Sequence, residues 1–146
     1  MTTRVHRPTA AFVGASWAAL LVGVVAYLLG LWRAGSMQLN EKGYYLAVLL
    51  LGLFAAVSLQ KSVRDRLEGI PVTGLYFGLC WFAVGSAVAL LAVGLWNATL
   101  APSEKGFYAM SYVLSLFAAV AVQKNVRDVT LAGPAPAAPN EFESRA

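Results

Sequence analysis

Charge, histidine and cysteine are what this sequence has least of. The 146 residues include one Cys, one His, seven Asp/Glu and eleven Lys/Arg. Cys80 has no second cysteine to pair with, which excludes an intrachain disulfide framework. The lone histidine, His6, excludes a His-based zinc site and a Ser-His-Asp set. No glycine-rich phosphate loop is present, because the glycines fall inside apolar runs. Charged residues make up 12% and apolar residues 59% of the chain, against about 25% and 45–50% in soluble domains. A disordered chain and an ordinary soluble enzyme are both excluded by that balance. The expectation is a protein with no cofactor, no metal and no enzymatic activity.

The scarce charges bracket uncharged stretches at 8–32, 43–60, 69–103 and 106–123. Roughly 20 apolar residues in a helix cross a bilayer core. Each stretch therefore predicts one crossing, the third of them at about 74–96. The expected fold class is all-α, an integral membrane four-helix bundle. The N-terminal run is too long for a secretory signal h-region, so it is expected to remain as the first helix. The net charge of +4 points to membrane topology rather than to nucleic acid. Arg4, Arg7, Lys61, Arg64, Arg66, Lys124, Arg127 and Arg145 fall on one side, and Arg33, Lys42 and Lys105 on the other. The positive-inside rule then predicts both termini in the cytoplasm.

The chain also repeats itself. Residues 41–65, EKGYYLAVLLLGLFAAVSLQKSVRD, match 104–128, EKGFYAMSYVLSLFAAVAVQKNVRD, at fifteen of 25 positions. Upstream the offset is 64 instead of 63, with Gly30-Leu31-Trp32 against Gly94-Leu95-Trp96. Matching polar residues exclude low complexity as the cause. Each unit is read as a two-helix hairpin in the same orientation, a parallel repeat about an axis along the membrane normal. The expected organisation is a cytoplasmic N-tail (1–9), a first repeat (10–68), a second repeat (69–132) and a disordered C-tail (133–146). Two tandem hairpins, each with EKG-[YF]-Y and QK-x-VRD, resemble the bacterial YiaA/YiaB inner-membrane family built from the YiaAB two-helix domain. The resemblance covers about residues 10–131 and implies an inner-membrane protein, without implying a mechanism.

Three residue sets are candidates for function. The outer set is Glu41, Lys42, Gly43 and Tyr45 with Glu104, Lys105, Gly106 and Tyr108. Asn40 and Ser103 are expected as N-caps, with the glutamates on the positive helix end. Gly43 and Gly106 predict a close backbone approach or a break at the cap. Trp32, Trp96, Tyr44, Tyr45, Phe107 and Tyr108 predict an interfacial aromatic belt, or a small polar-aromatic site at the bundle mouth. The inner set is Gln60, Lys61, Arg64 and Asp65 with Gln123, Lys124, Arg127 and Asp128. There Lys61–Asp65 and Lys124–Asp128 have pairing distance along a helix, and the two glutamines are expected to bond across the bundle. These cations are expected either to anchor in lipid headgroups or to dock a partner.

The third set is small residues at helical spacing: Ala15, Ala19 and Gly23; Gly52 and Ala56; Gly74, Gly78, Gly85 and Ala89; Ser111, Ser115 and Ala119. Such faces bring helices together in lipid. The partners implied are the bilayer and either a second copy or another membrane protein. The functional expectation is a non-enzymatic scaffold or accessory protein. The alternative is a small oligomeric channel or transporter lined by Ser86, Ser111, Tyr112 and Ser115. No acid or base lies in the apolar stretches, which favours the scaffold, since coupled transporters generally keep one there.

Overall fold

The computed structural model describes residues 7–133, so the expectations for the two tails fall mostly outside the described residues. Four helices account for nearly all of it: α1 (Ala10–Arg33), α2 (Leu39–Leu67), α3 (Gly74–Asn97) and α4 (Pro102–Ala132). All four are long and apolar enough to cross a membrane. The helix ends repeat as the sequence does. Thr9 Oγ1 accepts from the Phe12 amide at 3.2 Å, and Thr73 Oγ1 from the Tyr76 amide at 3.3 Å. Both satisfy first-turn donors that have no partner within the helix. Gly69, at φ 75°, closes α2: its amide reaches Arg66 O, and the Ile70 amide reaches Asp65 O at 2.8 Å. That double return needs the left-handed conformation that glycine adopts without strain.

The helices do not pair as the chain order suggests. α1 packs along α4, α3 packs along α2, and α2 lies against α4 in the middle. Within each hairpin the two helices touch only slightly. Each hairpin is thus splayed, and its first helix rests on the second helix of the other. This is a four-helix bundle of two parallel repeats, as expected, but the repeats are interlocked rather than side by side.

The buried stripes explain the exchange. α1 buries Ser16, Gly23, Tyr27 and Leu31, and α3 buries the equivalent Cys80, Ala87, Leu91 and Leu95. α2 and α4 bury longer stripes, from Tyr45 to Asp65 and from Tyr108 to Asn125. A central helix with two neighbours needs the wider face. The outward residues, such as Leu21, Phe54, Phe82 and Phe117, are large and exposed. On a soluble protein that surface would aggregate; here it is the lipid-facing side.

Candidate functional site

Two ends of the bundle carry the repeated polar motifs. At the EKG end, Glu41 and Glu104 stand three residues past the N-cap positions Gln38 and Ala101. Glu41 Oε2 accepts from the Gln38 amide at 2.6 Å, and Glu104 Oε2 from the Ala101 amide at 2.8 Å. The helices therefore begin earlier than Asn40 and Ser103, and those residues are not the caps. The glutamate reaches back to the first amide, which is half of a capping box. Lys42 Nζ donates to Trp32 O at 3.3 Å, and Lys105 Nζ to Trp96 O at 3.4 Å. Each lysine closes the last turn of the other helix in its own hairpin, where a cation suits the negative helix end.

The aromatic pair works across hairpins instead. A Cβ added to Gly30 would lie 3.0 Å from both Phe107 and Tyr108, and one added to Gly94 would lie 2.7 Å from Tyr44 and 3.3 Å from Tyr45. The glycine of each Gly-Leu-Trp motif is thus the floor on which the other hairpin's [YF]-Y pair rests. Tyr45 and Tyr108 occupy equivalent positions and stack on each other, with centroids 6.1 Å apart and planes at 19°. Both are about 4% exposed. They lie at the expected depth but inside the bundle, not in the belt. Trp32 and Trp96, at 84% and 85% exposure, are the residues that face the interface. Gly43 and Gly106 meet nothing within 4 Å. The close approach expected of them is made by Gly30 and Gly94, one helix earlier.

Midway along the bundle, Gly23 meets Ser115, whose Oγ and N would lie 2.6 and 2.9 Å from an added Cβ. Gly52 meets Tyr112, whose hydroxyl an added Cβ would overlap. That hydroxyl donates to Val48 O at 3.1 Å, joining α4 to α2. Tyr27 Oη donates to Tyr45 O at 3.0 Å, joining α1 to α2. Ala56 and Ala119 are half-buried. The small face expected on α3 is different: Gly74, Gly78 and Gly85 have open space around them, and Ala89 is exposed. They face lipid, where a small apolar residue costs no packing. The residues of the pore alternative are mostly closed in. Ser111, Tyr112 and Ser115 are buried, and the two serines donate to Tyr108 O and Ser111 O within α4.

At the QK end, Lys61 pairs with Asp65 at 2.8 Å and Lys124 with Asp128 at 3.6 Å, as the spacing predicts. Arg64 adds a 3.2 Å contact to Asp65. Asp65 lies beyond the apolar segment 43–60, and the Lys61 hydrogen bond holds its carboxyl below the ordinary aspartate value. Arg127 does not mirror Arg64. It binds both carboxylate oxygens of Glu68, linking α4 to the end of α2. Arg66 lies 4.2 Å over the Phe77 ring, linking α2 to α3. The glutamine bond expected across the bundle is not made: Gln60 Oε1 and Gln123 Oε1 are buried without a partner among the described residues. Other residues supply the crossing. Asn125 Nδ2 donates to Ser16 Oγ at 3.0 Å, and Ser62 Oγ contacts Cys80 Sγ at 3.5 Å. Ser16 and Cys80 are equivalent by the repeat, as are Ser62 and Asn125. The same clasp therefore occurs twice with different chemistry.

The EKG end also holds two equivalent clefts. One, of about 400 Å³, lies between the start of α2 and the end of α3, and Glu41, Tyr44, Tyr45, Gly94 and Asn97 are among its walls. Its counterpart, of about 310 Å³, has Glu104, Phe107, Tyr108, Gly30 and Arg33 in the same places.

Comparison with known proteins agrees with this double architecture. The yiaA/B two helix domain model matches residues 12–65 and again 76–128. The chain is 58% identical over 134 residues to the inner membrane protein YiaA of Escherichia coli (strain K12), covering 92% of each. It is 40% identical over 63 residues to the uncharacterized membrane protein YubF of Bacillus subtilis (strain 168), covering 43% of this chain and 72% of that one. The second match is thus one repeat long. No solved structure matches the chain. The chain belongs to the yiaA/B two-helix-domain family.

Proposed function

We propose that this yiaA/B two-helix-domain protein is a non-enzymatic scaffold or accessory protein of the bacterial inner membrane, with both termini cytoplasmic. The supporting observation is where the motif residues are used. Glu41, Lys42 and their equivalents close helix ends. Tyr45, Tyr108 and Gly52 fill the contacts between hairpins. Lys61 and Lys124 stay 56% and 62% exposed at the QK end. The apolar middle is thereby a closed packing unit, and the polar surface left for a partner lies at the two ends. Seven of the eight Lys/Arg grouped by the hairpin topology flank the repeats at the QK end or in the N-tail, which orients that end toward the cytoplasm.

A photo-crosslinking residue placed at Lys61 or Lys124 in intact cells tests the reading. The expected product is a discrete adduct with one other membrane protein, and none from the lipid-facing Phe82. Adducts to a second copy alone, together with solute flux through liposomes holding the purified protein, would instead establish the small channel.

A further inference from the structure

The two clefts at the EKG end are copies of one architecture, and they differ in charge. In the smaller, Arg33 stands with Glu104, so the lining carries no net charge. In the larger, Asn97 takes the place of Arg33, and Glu41 is the one charged residue of the lining. Glu41 Oε2 accepts from the Gln38 amide, and its other oxygen has no partner among the described residues. Lys42 and Lys105 are directed at the Trp32 and Trp96 carbonyls. Tyr44 and Tyr45 also line it, in edge-to-face contact with each other, with centroids 5.4 Å apart and planes at 87°. Asn40 and Thr99 add further polar atoms.

We propose that this larger cleft binds an organic ammonium group. A single carboxylate beside tyrosine rings suits an ammonium carried on an organic group: the carboxylate pairs with the charge, and aromatic rings attract it through their quadrupoles. A bare divalent metal calls for several hard oxygen ligands, and the described residues hold no cluster of three or more Asp, Glu, His or Cys. The duplication supplies an internal contrast, because the sister cleft carries its own cation in Arg33. The cleft is lined by Asn97, next in the chain to the exposed Trp96. Its ammonium can therefore come from an aminophospholipid headgroup or from a dissolved amine.

The test uses full-length protein in a non-ionic, amine-free detergent. One arm adds phosphatidylethanolamine and phosphatidylglycerol in equal amounts and reads retained lipid by native mass spectrometry. The other titrates ethanolammonium chloride against sodium chloride at constant ionic strength, read by saturation-transfer NMR. Selective retention of the ethanolamine lipid assigns the headgroup as the source; saturable ethanolammonium binding without it assigns a dissolved amine. In either arm Asn97→Arg is expected to weaken binding about tenfold by placing a like charge in the cleft, and Asn97→Asp to strengthen it about as much. General damage would move both variants the same way. Absence of binding in both arms, or variants that do not shift in opposite directions, would overturn the proposal.

Discussion

Gly52→Leu is expected to collapse the packing between α2 and α4. The Leu side chain would have to occupy the space of the Tyr112 hydroxyl, which is itself bonded to Val48 O at 3.1 Å. Tyr112 is 1% exposed, so displacing its ring disturbs the buried core around it. Overpacking of this kind costs about 1–3 kcal/mol. Lost interhelical hydrogen bonding adds roughly 0.6 kcal/mol, up to about 1.7. Helix association in lipid has little hydrophobic drive to offset such a loss. The thermal midpoint in detergent is expected to fall by on the order of 10 °C. Gly43→Leu, in open space on the same helix, should leave it nearly unchanged. Equal midpoints for the two variants would contradict the assigned contact.

The second large effect concerns the connection between the hairpins. Because α1 rests on α4 and α3 on α2, neither hairpin has a partner for its buried stripe when alone. Fragments 1–70 and 71–146, cut after the turn at Gly69, should co-purify in equal amounts when expressed together. Each expressed alone should pair with a second copy of itself or be degraded. The one-repeat match to YubF fits a fold whose unit is a hairpin that must be partnered. Recovery of either fragment as a stable monomer would show that a hairpin satisfies itself.

Much of this architecture is legible in the sequence. Uncharged stretches located the four helices, and fifteen identities over 25 positions located both end motifs. The Lys–Asp pairs followed from helical spacing alone. What could not be read was which helix faces which. A stripe at three- and four-residue spacing is equally satisfied by a neighbour in its own hairpin or in the other one. Part of the choice is made by groups at positions where the copies differ and that bond across hairpins. Tyr112 aligns with Leu49, Asn125 with Ser62, and Ser16 with Cys80. Looking for identity between repeats passes over those very residues.

Other differences between sequence pattern and structure have physical causes too. Gly74, Gly78 and Gly85 have the spacing of a packing face, but a bilayer leaves small apolar residues equally content toward lipid. Tyr45 and Tyr108 have the residue type of a belt and the depth of one, yet their glycine floors draw them inward. Gln60 and Gln123 lie beside the buried stripe, and the shorter polar side chains of Ser62 and Asn125, two residues further along and on it, make the bond instead.

The central claim is that the hairpins exchange helices. Crosslinking in the membrane tests it most directly, in a Cys80→Ser background with cysteines placed in pairs. Ser16 and Asn125 lie on α1 and α4 with a 3.0 Å contact between their side chains. The pair Ser16→Cys and Asn125→Cys should be joined nearly completely by a short bifunctional thiol reagent, within one chain. The pair Ser16→Cys and Ser62→Cys, which tests packing of α1 on α2 at the same end, should stay free. Efficient joining of 16 to 62, with 16 and 125 left unjoined, would show that each hairpin folds on itself and would contradict the interlock.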